Sequence, residues 1–282
     1  MVHYIQYLSK RKAIIIVMKF IVDHDMHIHS HLSSCSQDPE QTPERILRYA
    51  RDNGYKQICI TDHFWDESVE GASSWYSPQG FAHISQSLPL PKIDGIEFLF
   101  GCETELDKNL TLGLAKEHID KFDFIIIPTT HLHMNGFTIK DGATLEERAD
   151  AYVKRLDAVL NMNLPFHKVG IAHLTSHLMA RGNWQDHLTV LDMISDDTFK
   201  RIFARASAVG VGIELNLPLH LYEGGDVERV LRPYRIAKAE GCKFYLGGDA
   251  HKAHVLEALP QKFALIIDAL ELEESDKFIL RK

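Results

Sequence analysis

The chain has 282 residues, 45% of them hydrophobic and 25% charged, a composition that can bury a full core. Its 31 Lys and Arg against 39 Asp and Glu leave a net charge of −8, which argues against a broad nucleic-acid footprint, since phosphate backbones are held by basic stripes. Cys35, Cys59, Cys102 and Cys242 are scattered and form no CxxC pair, so neither a disulfide framework nor a zinc ribbon is expected, and a cytoplasmic location fits best.

At the start, Lys10-Arg11-Lys12 and the apolar stretch 13–22 imitate a signal peptide. Lys19 interrupts that stretch, it falls short of the ~20 residues a bilayer needs, and no small-residue cleavage site precedes the histidines that follow. No membrane association is expected. Residues 1–17 read as an N-terminal extension with Met18 as the start, Met1 being the alternative, and residues 18–282 as one barrel domain.

Apolar runs predict strands at 19–25, 57–61, 97–101, 124–129, 168–172, 211–215 and 243–247. Amphipathic segments alternate with them. Thr42-Pro43-Glu44 caps a first helix that Gly54 closes, and spacing of three and four predicts helices at 143–162, 196–209, 226–240 and 254–272, with Gly210 and Gly241 as stops. The polar and aromatic stretch 67–91 reads as an insertion over one end. The alternation implies an α/β fold with a parallel sheet, and a length near the roughly 250 residues of a single α/β barrel allows one domain, with its active site at the C-terminal ends of the strands.

Those ends carry an unusual set of side chains. Asp25-Met26-His27-Ile28-His29 leaves the first, and in an extended chain His27 and His29 point the same way. Thr61-Asp62-His63, Gly101-Cys102-Glu103, Thr130-His131, Ala172-His173 and Gly248-Asp249-Ala250-His251 follow at later strands. Imidazole and carboxylate together suit zinc, manganese or iron, and more than four ligands imply more than one ion. Clustered ions lower the pKa of bound water to about 7, supply hydroxide at neutral pH and stabilise attacking and leaving oxygens together.

In that order these motifs resemble the PHP (polymerase and histidinol phosphatase) domain family: a DxHxH opening, TDH, GxE, two strand-end histidines and a closing DxH, over roughly residues 20–255. The resemblance implies a distorted (β/α)7 TIM-like barrel with two or three divalent metal ions. His27, His29, Glu103 and Asp249 would hold one ion, Glu103, His131 and His173 its neighbour, and His63, His251 and one further group a third. Glu103 would bridge the first pair, and Asp62 would orient a ligand. Where family members often place Asp or His after the second histidine this chain has Cys35; Asp38 is the expected replacement and Cys35 the alternative.

Glu105 and His133 share strand faces with Glu103 and His131 and are alternative ligands or supporting partners. His31 and His177 read as rim groups, while His3, His24, His83, His118, His167, His187, His220 and His254 carry no partner motif. Arg181 offers a guanidinium fork to a substrate phosphate, with Arg148 and Lys252 weaker candidates. Asn216 is expected to face the pocket, and Trp65, Trp75 and Tyr76 either line its rim or form a small apolar cluster under the long loop.

The expected function is a metal-dependent phosphoesterase acting on a small phosphorylated substrate by attack of metal-bound hydroxide, with Glu103 and Asp249 central to catalysis. Histidinol phosphate is the leading substrate, by resemblance. The alternatives are a phosphodiesterase or nucleotide phosphatase of the same family, or a non-catalytic metal-binding accessory module.

Overall fold

Strand propensity and the need to cover both faces of a parallel sheet organise the molecule. The computed structural model describes residues 18–281, so the expected extension over residues 1–17 lies outside the described residues. The strands are β1 (His24–Ile28), β2 (Gln57–Ile60), β3 (His63–Phe64), β4 (Glu97–Thr104), β5 (Phe124–Pro128), β6 (Val169–Ala172), β7 (Gly212–Leu215) and β8 (Lys243–Leu246). All pairings are parallel, in the order β1-β2-β4-β5-β6-β7-β8, with β3 paired to β4 beyond the end of β2. A parallel bridge between Ile28 and Ala250, with the His29 amide donating to the Ala250 carbonyl at 3.1 Å, brings the two edges together. The result is a nearly closed seven-stranded parallel barrel, the α/β architecture expected.

The first strand lies later than 19–25. Lys19 bridges antiparallel to Glu273, the Phe20 amide donates to the Leu272 carbonyl, and Ile21 is 42% exposed. The apolar run therefore packs on the C-terminal segment, and the barrel strand begins where both faces are covered.

Helices occupy the connections: α1 (Pro43–Asp52), α2 (Phe81–Ile84), α3 (Leu145–Asn161), α4 (Asp186–Asp192), α5 (Asp196–Val209), α6 (Gly225–Ala239) and α7 (Leu259–Ala269). The Thr42 hydroxyl accepts from the Arg45 amide at the start of α1, and Thr144 with Glu147 forms a capping box at α3. Gly210 ends α5 at φ 78°, a left-handed position that suits glycine. The last helix is shorter than 254–272. Pro260 sits in the first turn of α7 and has no N–H to continue a helix from the segment before it, and Ala253–Ala258 forms a 3-10 helix instead.

Inside the barrel, Met26, Cys59, Leu99, Phe124, Ile126, Ala172 and Tyr245 form a separate apolar plug. Glycines make room for it: a Cβ at Gly170 would lie 2.5 Å from the Tyr245 hydroxyl. This plug floors the C-terminal end of the barrel, where the polar residues converge. Among the described residues no helix is long and apolar enough to cross a membrane.

Candidate metal centre

Six strand ends deliver the cluster. A register shift between Asp25 and Ile28 in β1 breaks strict alternation, so Met26 joins the plug while His27 reaches the polar centre. His27 Nε2 and His29 Nε2 lie 3.1 Å apart and are completely buried. His63 opens β3, Glu103 sits near the end of β4, and His131, His173, Asp249 and His251 follow β5, β6 and β8.

Glu103 is the hub. Its Oε2 lies 3.0 Å from His63 Nδ1, 3.3 Å from His29 Nε2 and 3.5 Å from His27 Nε2, and its Oε1 lies 3.3 Å from His173 Nε2 and 4.0 Å from His131 Nε2. Among the described residues, three groups have donor atoms mutually within 4.8 Å: His27, His29 and Asp249; Glu103, His131 and His173; and His29, Cys35, His63 and His251. All eight ligand residues singled out in the sequence fall into these groups. So dense a set of nitrogen and oxygen donors fits divalent ions, since without cations its carboxylates and imidazoles compensate one another only by holding protons.

The remote ring nitrogens have partners that aim the rings. His27 Nδ1 donates to Glu214 Oε1 at 2.6 Å, His131 Nδ1 to Glu105 Oε2 at 2.8 Å and His251 Nδ1 to the Asp249 carbonyl at 2.7 Å. His173 Nδ1 pairs with the Thr130 hydroxyl at 2.7 Å and His29 Nδ1 with the Ser33 hydroxyl at 3.1 Å. Such bonds set ring orientation and raise ligand basicity. Glu214 serves twice, because its Oε2 also accepts from the His173 amide at 2.7 Å. It lies against β8 only because Gly247 lacks a side chain: a Cβ there would stand 2.0 Å from Glu214 Oε1. Glu105 in turn pairs with Arg155, a buried guanidinium that also donates to the Leu106 and Thr129 carbonyls.

Two of these residues hold strained backbones, His173 at φ 31° and Asp249 at φ 49°. Non-glycine residues in such conformations cost about 1–3 kcal/mol each and persist only when neighbours over-determine them. Here Glu214 anchors the His173 amide, and the Asp249 amide donates to the His27 carbonyl at 2.7 Å.

Electrostatics divides the histidines. Burial alone would lower His27 and His29, yet the carboxylates of Glu214, Asp249 and Glu103 hold His27 well above its usual value, and Asp249 and Glu103 raise His29 to about 9. Burial drives His63 well below its usual value, with neighbouring imidazoles adding to it, and lowers His251. Burial opposes ionisation of Glu103, but His63, His27 and His173 keep its carboxyl far below the usual range. Burial raises Asp25 to about 7; it is no donor to the cluster but ties β1 to β8, accepting from the Gly248 amide and the Tyr49 hydroxyl.

The cluster opens into a cleft of about 660 Å³. Trp75, Tyr76 and Phe137 form an aromatic wall, while His133, His177 and Arg181 face the opening. Trp75 and Tyr76 thus line the rim, as one of the two sequence readings had it, and Trp65 packs under the loop with Tyr76 and Phe137.

Several expectations need correction. Asp38 lies outside all three groups, because its oxygens accept from the Glu40 and Ala253 amides, whereas the Cys35 thiol lies in the group with His29, His63 and His251. Asn216 lines a separate small cavity beside Gly247 and Gly248, since the chain leaves the strand direction after Leu215. Arg148 is spent on the Leu132 and Met179 carbonyls, and Lys252 does not line the cleft. Glu105 and His133 are not donors to the groups; Glu105 orients His131, and His133 lines the cleft. Asp62 grips the ligand loop through the Ser30 amide and hydroxyl, at 2.6 and 2.7 Å. Sequence patterning does not mark Glu214 or Arg155; Glu214 is the one charge in a short buried strand, and Arg155 lies on the otherwise apolar buried face of α3.

A parallel α/β barrel with clustered imidazole and carboxylate groups at the C-terminal strand ends has the architecture of a metal-dependent barrel hydrolase. The PHP domain model matches residues 25–217, well over half the chain, and the chain belongs to that family. By class it is a metal-dependent phosphoesterase. No curated protein matches. Among solved structures, histidinol phosphate phosphatase from Lactococcus lactis subsp. lactis Il1403, in complex with zinc, L-histidinol and phosphate, is similar at 21% identity and TM-score 0.58, covering 91% of this chain and 98% of that one. PsfC from Pseudomonas syringae PB-5123 is similar at 18% identity and TM-score 0.40, covering 82% and 76%. The first of these likenesses supports the fold.

Proposed function

We propose that the protein hydrolyses a small phosphomonoester, with two or three divalent ions, zinc, manganese or iron, held by His27, His29, His63, Glu103, His131, His173, Asp249 and His251. The observation that carries the reading is the convergence of five imidazoles on the Glu103 carboxylate at the floor of one cleft. Ions so bound would polarise the phosphoryl oxygens and provide a nucleophilic oxygen at neutral pH. Glu103 and Asp249 hold negative charge in a buried site and so keep cations and substrate in register. Arg181, exposed and facing the cleft, meets the phosphate oxygens. Trp75, Tyr76 and Phe137 offer a flat leaving group a stacking wall.

Histidinol phosphate is the leading substrate, since an imidazole ring suits that wall and a phosphatase of similar fold was solved with L-histidinol and phosphate. A nucleotide phosphate or small phosphodiester is the second reading. Among the described residues, Glu103 and Asp249 are the only carboxylates lining the cleft, so a cationic amino group would meet no acid outside the ligand set. A reducing cytoplasm is the compartment we infer, all four cysteines being free.

The test is hydrolysis of p-nitrophenyl phosphate and histidinol phosphate after loading with manganese or zinc, with metal content measured alongside, in wild type and Glu103→Ala. Turnover of histidinol phosphate that the variant loses supports the leading reading. Metal uptake without cleavage of either ester retires the phosphomonoesterase reading in favour of the diester reading or an accessory module.

A further inference from the structure

A thiol stands where the donor set is otherwise imidazole. Cys35 Sγ lies within 4.8 Å of ring nitrogens of His29, His63 and His251, and each of those within the same distance of the others. Four donors around one zinc ion, at about 2.0–2.3 Å, sit roughly 3.6 Å apart, so closure on a cation requires a contraction of no more than about an ångström. The loop is held for it. The Ser34 amide donates to Gln79 Oε1 at 2.8 Å, the Ser36 hydroxyl to the His251 carbonyl at 2.7 Å, and the His63 amide to Ser33 Oγ at 3.1 Å. Both neighbours of Cys35 are therefore tied to other segments while its side chain lines the cleft. Asp38 is turned away with its carboxylate occupied.

We propose that Cys35 is a metal ligand, and that with His63 and His251 it forms a thiolate site that selects zinc over manganese and leaves a fourth position open towards the cleft. His29 belongs equally to the group with His27 and Asp249, so three ligands remain for the Cys35 site when His29 Nε2 serves the neighbouring ion. Three protein ligands and one open position are what a catalytic zinc keeps. Thiolate is soft: it suits zinc and cobalt, whereas manganese prefers oxygen donors. The inference rests on the metal-dependent reading above and adds a chemically distinct member to its ion set.

Cobalt is the probe, because a cobalt–thiolate bond gives a charge-transfer band in the near ultraviolet that imidazole and carboxylate ligands do not. Cys59, Cys102 and Cys242 are at most 1% exposed and belong to none of the donor groups, so the band reports on Cys35. The full chain, stripped with chelator, is titrated with cobalt, and bound metal is counted for wild type and Cys35→Ser. The expected result is a band in wild type that is absent in the variant, together with loss of one bound equivalent and a zinc-over-manganese preference reduced about tenfold or more. Zinc, but not magnesium, should also protect Cys35 from alkylation. Cobalt uptake without the band, or a variant with unchanged stoichiometry and preference, overturns the thiolate assignment alone. No cobalt uptake by either protein overturns the metal-dependent reading as well.

Discussion

Glu214 is where a conservative change should do most damage for its size. Both of its carboxylate oxygens accept hydrogen bonds, from His27 Nδ1 at 2.6 Å and from the His173 amide at 2.7 Å, in a completely buried position. Glu214→Gln keeps the shape but offers one acceptor and one donor, so one of those two N–H groups faces an NH2. Leaving a buried donor unsatisfied costs about 1–3 kcal/mol, and loss of a partner behind a ligand typically weakens metal binding about 10–100-fold. Because His27 and His173 belong to different donor groups, the variant should weaken two ion positions at once. Chelator competition with zinc measures the affinity, and thermal melts in chelator separate it from loss of fold. Gly247→Ala is an independent arm: its Cβ would stand 2.0 Å from Glu214 Oε1, so it should displace the carboxylate and reproduce the metal defect without changing charge. Wild-type zinc affinity in both variants would refute the assignment of Glu214 as the group that aims these two ligands.

Arg155→Leu should lower stability by about 3–5 kcal/mol in chemical denaturation, because it strands the buried Glu105 carboxylate; a change under about 1 kcal/mol would contradict that pairing. If Arg181 binds the substrate phosphate as proposed, Arg181→Ala should raise KM for a phosphomonoester about 10-fold or more while leaving the melting temperature unchanged, since Arg181 is exposed and lines the cleft rather than the core. For metal-free protein, His29 at about 9 against 6.5 in the unfolded chain means that the folded state holds the proton longer. That contribution is fully present below pH 6.5 and is lost as pH rises through about 9, by up to roughly 3 kcal/mol. Denaturation across this range with and without saturating zinc checks the sign: the decline belongs to the chelated protein, because a bound cation replaces the proton.

The converging side chains are readable because a barrel places its functional groups at strand ends, and imidazole or carboxylate there interrupts apolar runs. What was not readable depends on pairing across the barrel. Glu214 lies in a short buried strand, and only its charge among apolar neighbours marked it; that it meets His27, 187 residues away in sequence, is a tertiary fact. Arg155 hides likewise among Tyr152, Leu156 and Val159 on the buried face of α3. Chemical type alone favours Asp38 over Cys35, yet the turn at Asp38 uses its carboxylate for local amides, a competition that spacing does not reveal. The apolar run before His24 has the pattern of a first barrel strand, yet it covers the C-terminal segment rather than pairing in the barrel.

The central claim is that these strand ends hold a multinuclear metal centre around Glu103. Metal content per chain, measured after zinc saturation and removal of free metal, tests it most directly in wild type and Glu103→Gln. At least two ions per chain are expected in wild type and a clear drop in the variant, because the carboxylate that faces five imidazoles loses its charge. Fewer than one ion in wild type, or equal content in both proteins, would contradict it.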